Sequence, residues 1–226
     1  MPFPSIQVKP MHILDAKKAQ IESSLNILFA AVSGAIAQSV LCLTRLDFAA
    51  CDALIKADAM INDQRKMIEQ DCLVAIASQQ PVAHDLRDIV AAGHIASELE
   101  RLGDYASDIA ATVKRMDGAG LDQLSLDNIL VMSRLSQDML DLVMRSNQNN
   151  DAALARQITQ LDDRMDALLK QTIDLVLAVM RNKPELVNNG SCVLWIAHYL
   201  ERCGDRATNI AEQVVFRLEN EEADLG

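Results

Sequence analysis

Glu100, Asp104 and Asp108 recur every four residues, and Glu201, Asp205 and Asn209 repeat the spacing 101 residues later, with Glu212 just beyond. Residues i and i+4 project from one side of a helix with their Cβ atoms roughly 6 Å apart, where like charges cost about 0.2–0.5 kcal/mol. A helix shaped only for stability would put Lys or Arg at one of these places. An unfavourable pair present twice points to a bound cation that reverses the sign of the interaction. Partner acids stand on other segments. Asp162 and Asp166 are four apart, each directly after an apolar residue (Leu161, Met165); in the first half the matching pair is Asp58 and Asn62, with Asp63 adjacent as a substitute acid. A residue one step past a core position lies about 100° around the helix, at the edge of the buried stripe. Edges of neighbouring helices face each other, so two such pairs can place up to four carboxylates around one spot. All-oxygen sites suit hard cations such as Mg²⁺, Ca²⁺, Mn²⁺ or ferric iron, and carboxylates also serve Zn²⁺. The candidate metal ligands are Glu100, Asp104 and Asp58 in the first half, and Glu201, Asp205, Asp162 and Asp166 in the second.

The competing reading is a solvated acidic face, the ordinary fate of acids on the outside of an amphipathic helix. Selective retention weighs against it: Glu, Arg, Gly and Asp persist between the halves while Ser97/His198, Glu98/Tyr199 and Tyr105/Arg206 differ. Gly103 and Gly204 stand inside these motifs at mid-helix, where Gly costs up to about 1 kcal/mol against Ala. Close helix approach or room for a ligand would justify them. Arg101 and Arg202 follow each Glu, either to orient carboxylates or as surface ion pairs worth little.

The elements that must position these residues are helices. The 226 residues include only 8 Gly and 5 Pro, and aromatics make up 3%. That is about half the usual ~7% Gly and ~5% Pro, too few turn residues for a β sandwich or barrel. Pro2, Pro4 and Pro10 lie at the start, leaving Pro81 and Pro184 as the later breaks. The punctuation predicts six helices over 12–45, 48–79, 82–117, 122–146, 152–182 and 185–222, with Asp47 and Asp151 as N-caps and Gly118–Gly120 as a hinge. Pro81 is expected in the first turn of the third helix.

Asp47 matches Asp151, Asp58 matches Asp162 and Pro81 matches Pro184 at offsets of 103–104, and eleven of twenty positions are identical between 95–114 and 196–215. The apolar positions Ile95, Leu99, Leu102, Ala106, Ile109, Ala110 and Val113 form one face, and their copies do the same. The expected fold is all-α: two tandem three-helix bundles from an internal duplication, spanning 1–117 and 121–226.

A net charge of −11 without a basic run argues against nucleic-acid binding. Five cysteines in irregular spacing, without a CxxC, read as buried thiols of a reducing compartment. No stretch at the N-terminus reads as a signal peptide, so a cytoplasmic location is expected. Ser23–Thr44 carries no charge over 22 residues. That length could span a bilayer, but its scattered polar residues favour a helix buried in a bundle. Trp195 reads as an anchor between helices. ExxH, HExxH, Walker A, GxGxxG and GxSxG motifs are all absent. On the residues alone, a metal-carboxylate protein with its own redox or hydrolytic chemistry and a purely structural helical module both stay open.

The duplicated unit, the helix-opening Asp47 and Asp151, the stretch Gln79-Gln80-Pro81-Val-Ala-His-Asp-Leu-Arg87, and the paired Glu-Arg-x-Gly-Asp motifs at 100–104 and 201–205, with Asn209-Ile-Ala-Glu212, resemble the PhoU family. The resemblance covers nearly the whole chain. It implies tandem three-helix bundles, usually dimeric, acting in the cytoplasm without enzymatic activity. Such proteins restrain phosphate uptake and phosphate-starvation signalling, as adaptors between the phosphate ABC transporter, through its ATPase subunit, and its sensor histidine kinase. Contact with the membrane is then indirect, through these partners. The family's E/DxxxD motifs bind metal clusters in some members; carried over, they fall on the seven acids named above. Asn62 departs from the acidic pattern, and Asp85-Leu86-Arg87 has no copy after Pro184, so the two units are not equivalent.

Overall fold

The structure, a computed structural model, describes residues 13–118, 120, 124, 126–221 and 223–226. Helices α1 (Ile13–Arg45), α2 (Phe48–Gln79) and α3 (Ala83–Val113) form the first half; α4 (Leu126–Asn149), α5 (Ala152–Ala155), α6 (Ile158–Asn182) and α7 (Val187–Glu219) form the second. Six are long and α5 is a single turn. His12, Ala119, Glu222 and the proposed unit limits at 1 and 121 lie outside the described residues.

The caps explain most boundaries. Asp47 accepts a hydrogen bond from the Ala50 N–H, and Asp151 from the Leu154 N–H, satisfying orphan donors of the first turn. α2 ends on left-handed Gln80 and α7 on left-handed Asn220. Other boundaries differ from the sequence expectation. α3 begins at Ala83, so Pro81 lies in the link and not in the helix. α3 also stops four residues early, where the Arg115 and Met116 N–H groups bond back only three residues and tuck Met116 into the core. α4 runs on to Asn149 before left-handed Asn150 ends it. The expected helix 152–182 breaks at Arg156–Gln157, where Arg156 reaches across to Glu219 of α7. Pro184 opens a single 3₁₀ turn, Pro184–Leu186, ahead of α7.

α1, α2 and α3 pack together, as do α4, α6 and α7; α3 also packs along α7, and α1 on α4. All seven predicted stripe positions of α3 are buried, and so are Ile196, Leu200, Cys203, Ala207, Ile210, Ala211 and Val214 of α7. The apolar core is continuous across both halves. Across the α3–α7 seam, Glu98 takes bonds from Arg206 and Asn209, both at 3.2 Å. The charge-free segment lies in α1, which is long and apolar enough to cross a membrane. Here it is a core helix that buries Leu25, Leu28, Phe29, Val32, Ile36, Val40 and Leu43. All five cysteines are free and buried. Trp195 corrects the expectation of an anchor between helices: it is 51% exposed and stacks on Tyr199 of its own helix, and it is Tyr199 that reaches Tyr105 of α3.

The two mid-helix glycines have different causes. A Cβ on Gly103 would stand 2.9 Å from Ile61 of α2, a close helix approach, whereas on Gly204 it would meet Met139 and Met165 at 3.4–3.5 Å, ordinary contact. Gly204→Ala is therefore expected to raise stability by about 0.5–1 kcal/mol through the lost freedom of the unfolded chain. Gly103→Ala is expected to lower it. Urea unfolding midpoints check this; a gain in both would contradict the close-approach reading of Gly103.

Candidate functional site

α2 and α3 bring Asp58, Glu100 and Asp104 to one edge of the first half, and α6 and α7 bring Asp162, Asp166, Glu201 and Asp205 to the matching edge of the second. All seven predicted acids thus fall into two carboxylate ladders.

In the first ladder, burial and then the Asp104 carboxylate push Asp58 above the usual carboxylate range, against the opposing pull of Asn62 and the nearby Ser107 hydroxyl. Asn62 Nδ2 donates to Asp58 Oδ2 at 3.1 Å. Burial, followed by Asp104, also raises Glu100 and Asp108. Asp104 is therefore the hub of the ladder, and Asp108 is a fourth member. Asp63 is not a substitute for Asn62: it is exposed and pairs with Lys66 at 3.2 Å. Arg101 Nη1 reaches Asp104 at 3.3 Å, a single bond and not a bidentate clamp.

The second ladder carries less compensation. Glu201 is 18% exposed. Burial, followed by Asp205, drives its carboxyl up to about 7, with only Arg202 opposing and Asp166 and Asp162 adding to the rise. Glu201 Oε2 is buried without a hydrogen-bond partner, although His198 Nδ1 lies 3.4 Å away. Burial and then Asp166 raise Asp162, whose Oδ1 accepts from Thr208 at 3.4 Å. Arg202 holds Asp205 at 2.6 Å. Asn209 faces Glu98, and Glu212 accepts from the Leu225 N–H at 3.0 Å, so neither extends the ladder.

Sequence reasoning missed Arg65. It lies 3.9 Å from Glu100, bonds Glu69 at 2.6 Å, and helps hold Glu100 down. The signal was legible: Asp58, Asn62 and Arg65 share one face by i, i+4, i+7 spacing. The position equivalent to Arg65 in the second half is Leu169. The first ladder thus has Arg65 and Asn62 where the second has Leu169 and Asp166, and the excess negative charge concentrates in the second.

The ladders supply oxygen donors alone, and buried, unbonded Asp58 Oδ1 and Glu201 Oε2 fit a hard cation in donor type and charge. Among the described residues, no three His, Cys, Asp or Glu side chains stand ready to enclose a metal ion.

Comparisons with known proteins bear on the same elements. A family profile described as "PhoU domain" matches residues 25–113 and 129–214, one match in each half. The chain is 33% identical over 184 residues to a phosphate-specific transport system accessory protein PhoU homolog of Clostridium acetobutylicum, covering 81% of this chain and 84% of that one. The crystal structure of the phosphate transport system regulatory protein PhoU from Streptococcus pneumoniae superposes with a TM-score of 0.87 at 28% identity, covering 94% of this chain and 100% of that one. PhoU from Pseudomonas aeruginosa gives a TM-score of 0.87 at 25% identity, over 92% and 100%.

Proposed function

Because the chain belongs to the PhoU family, and so to the non-enzymatic accessory and regulatory proteins of phosphate transport, we propose that it is a cytoplasmic negative regulator of phosphate uptake. It acts as an adaptor between the ATPase subunit of a phosphate ABC transporter and a sensor histidine kinase, and works as a homodimer. Its two units are 1–117 and 121–226, and it meets the membrane only through these partners.

The observation that supports an adaptor with cation-dependent faces is the pair of acidic ladders at equivalent edges of the repeats. Glu201, Asp205, Asp162 and Asp166 would hold a hard cation in the second repeat, and Glu100, Asp104 and Asp58 a weaker one in the first. The bound ion would neutralise the ladder and offer open coordination positions to a partner's oxygen atoms. Glu201 and Asp162 already resist ionisation, which is the condition in which a cation gains most by binding.

A deletion strain is expected to take up phosphate without restraint and to express a phosphate-starvation reporter in rich medium. Restoring the chain should silence the reporter, and the paired variant Glu201→Gln with Asp205→Asn should restore silencing only in part. A reporter that stays silent in the deletion strain would overturn the regulatory role. Full complementation by the paired variant would remove the ladder from it.

A further inference from the structure

We propose that a cavity at the junction of the two repeats is a binding site for a compact oxyanion, a carboxylate or a phosphate, seated on Arg217. The cavity is about 270 Å³ and is walled by Lys18 of α1, His84 and Asp88 of α3, Asn147 and Asn150 at the end of α4, and Arg217 of α7. It lies at the first turns of α3, away from the acidic ladders at mid-helix, so it does not rest on the cation reading.

Among the described residues, Arg217 has no counter-ion in contact. Its Nη2 donates to the Asn147 carbonyl at 2.9 Å and to Asn150 Oδ1 at 2.5 Å, both neutral acceptors. Its Nε is buried without a partner. Burial presses the guanidinium below its ordinary range even though Asp88 and Glu22 pull the other way. Neither acid ion-pairs with it. Asp88 is taken by Lys18 and stands 3.6 Å from His84, while Glu22 is exposed at the rim.

Beside Arg217, Asn147 is only 7% exposed, and its Oδ1 is buried with no hydrogen-bond partner. A closed core leaves few such groups unpaired, and buried charges are ordinarily paired. Both residues wall the one cavity, and a guanidinium without a counter-ion beside an unpaired amide oxygen defines the ligand. With both Nη2 hydrogens taken by Asn147 and Asn150, the guanidinium offers its charge and its Nη1 hydrogens to an oxygen of a carboxylate or phosphate. The amide oxygen takes a hydroxyl or a protonated phosphate oxygen. Asp88 and Glu22 nearby disfavour a highly charged ligand, so a monoanion is selected over a polyphosphate. Such a ligand would touch α1 and α3 of one repeat and α4 and α7 of the other.

Calorimetric titration of the full chain with inorganic phosphate, and separately with lactate, tests the site against sodium chloride of equal ionic strength. Saturable binding of at least one probe is expected, and which probe binds distinguishes the two oxyanions. Arg217→Lys keeps the charge but loses the planar guanidinium donors and its anchoring to Asn147 and Asn150, and Ala92→Leu fills the cavity while keeping Arg217. Each should weaken binding at least tenfold. Should Arg217→Lys fail to fold, Ala92→Leu decides, since the contacts of Arg217 on α4 are intact in it. No saturable heat from either probe beyond the chloride control would overturn the proposal, and so would unchanged binding in folded Ala92→Leu.

Discussion

Glu201→Gln is expected to make the metal-free protein more stable at pH 8 and to abolish its stabilisation by divalent cations. The sign follows from the direction in which burial moves the carboxyl. Glu201 is raised from 4.5 to about 7, so the native state holds its proton more tightly than the unfolded chain. The native state therefore loses stability as pH rises from the unfolded value through about 7, and at pH 8 the penalty is complete. Gln keeps the shape and removes the charge. Each tenfold change in a proton affinity corresponds to about 1.4 kcal/mol, so the gain is about 3 kcal/mol, or about 6–12 °C in Tm for a chain of this size. Asp58, Glu100, Asp108 and Asp162 are raised as well. Chelator-treated wild type should accordingly gain stability on acidification from pH 8 toward pH 6. Added Mn²⁺ should raise the wild-type Tm by mass action on the native state and leave the variant nearly unmoved. Thermal unfolding with chelator and with Mn²⁺ reads both effects. A lower Tm of the variant in chelator would show that Glu201 is not an electrostatic burden. An equal gain from Mn²⁺ in both proteins would place cation binding elsewhere.

One residue earlier, the expected sign is opposite. Leu200 is fully buried, as is its counterpart Leu99. Leu200 also supplies a carbonyl to the Ser136 hydroxyl of α4 at 3.3 Å, so its side chain sits where α7 is fixed against its neighbours. Leu200→Ala removes buried methyl groups and leaves a cavity that a packed helix pair cannot close, a loss of about 2–5 kcal/mol. Leu99→Ala should lose a similar amount. Because the core runs unbroken across both repeats, unfolding of either variant should remain a single transition for the whole chain. Denaturant titration followed by circular dichroism and by Trp195 fluorescence checks this. Separate midpoints from the two probes would show that the repeats unfold independently.

The contrast between Leu200 and Glu201 shows how much of this molecule is legible in one dimension. The period of apolar residues separates the core stripe of α3 and α7 from its acidic edge, and every stripe position read that way is buried. The reason is that i, i+3 and i+4 spacing places side chains on one helix face whatever the helix packs against. Capping is equally local. Asp47 and Asp151 bond N–H groups three residues ahead, and α2 begins where the sequence places it. The boundaries that moved did so through distant partners. Arg156 reaches 63 residues along the chain to Glu219 where the helix breaks, and Met116 tucks into the core beyond the end of α3. Trp195 is exposed because α7 turns that face outward, and residue type carries no sign of it.

Helicity, duplication, the core stripe and the four-residue spacing of the acids are properties of the sequence itself. Each depends on residues within about one turn of one another, or on a comparison of the chain with itself. Only the tertiary structure decided that Asp104 faces Asp58, that Arg65 reaches Glu100, and that Gly103 is held by Ile61 while Gly204 has room. It alone placed Arg217 on a cavity with its Nε buried and unbonded. These are meetings between side chains of different helices, and they are governed by helix packing and by desolvation. Both depend on which faces come together, and periodicity along a single helix leaves that open.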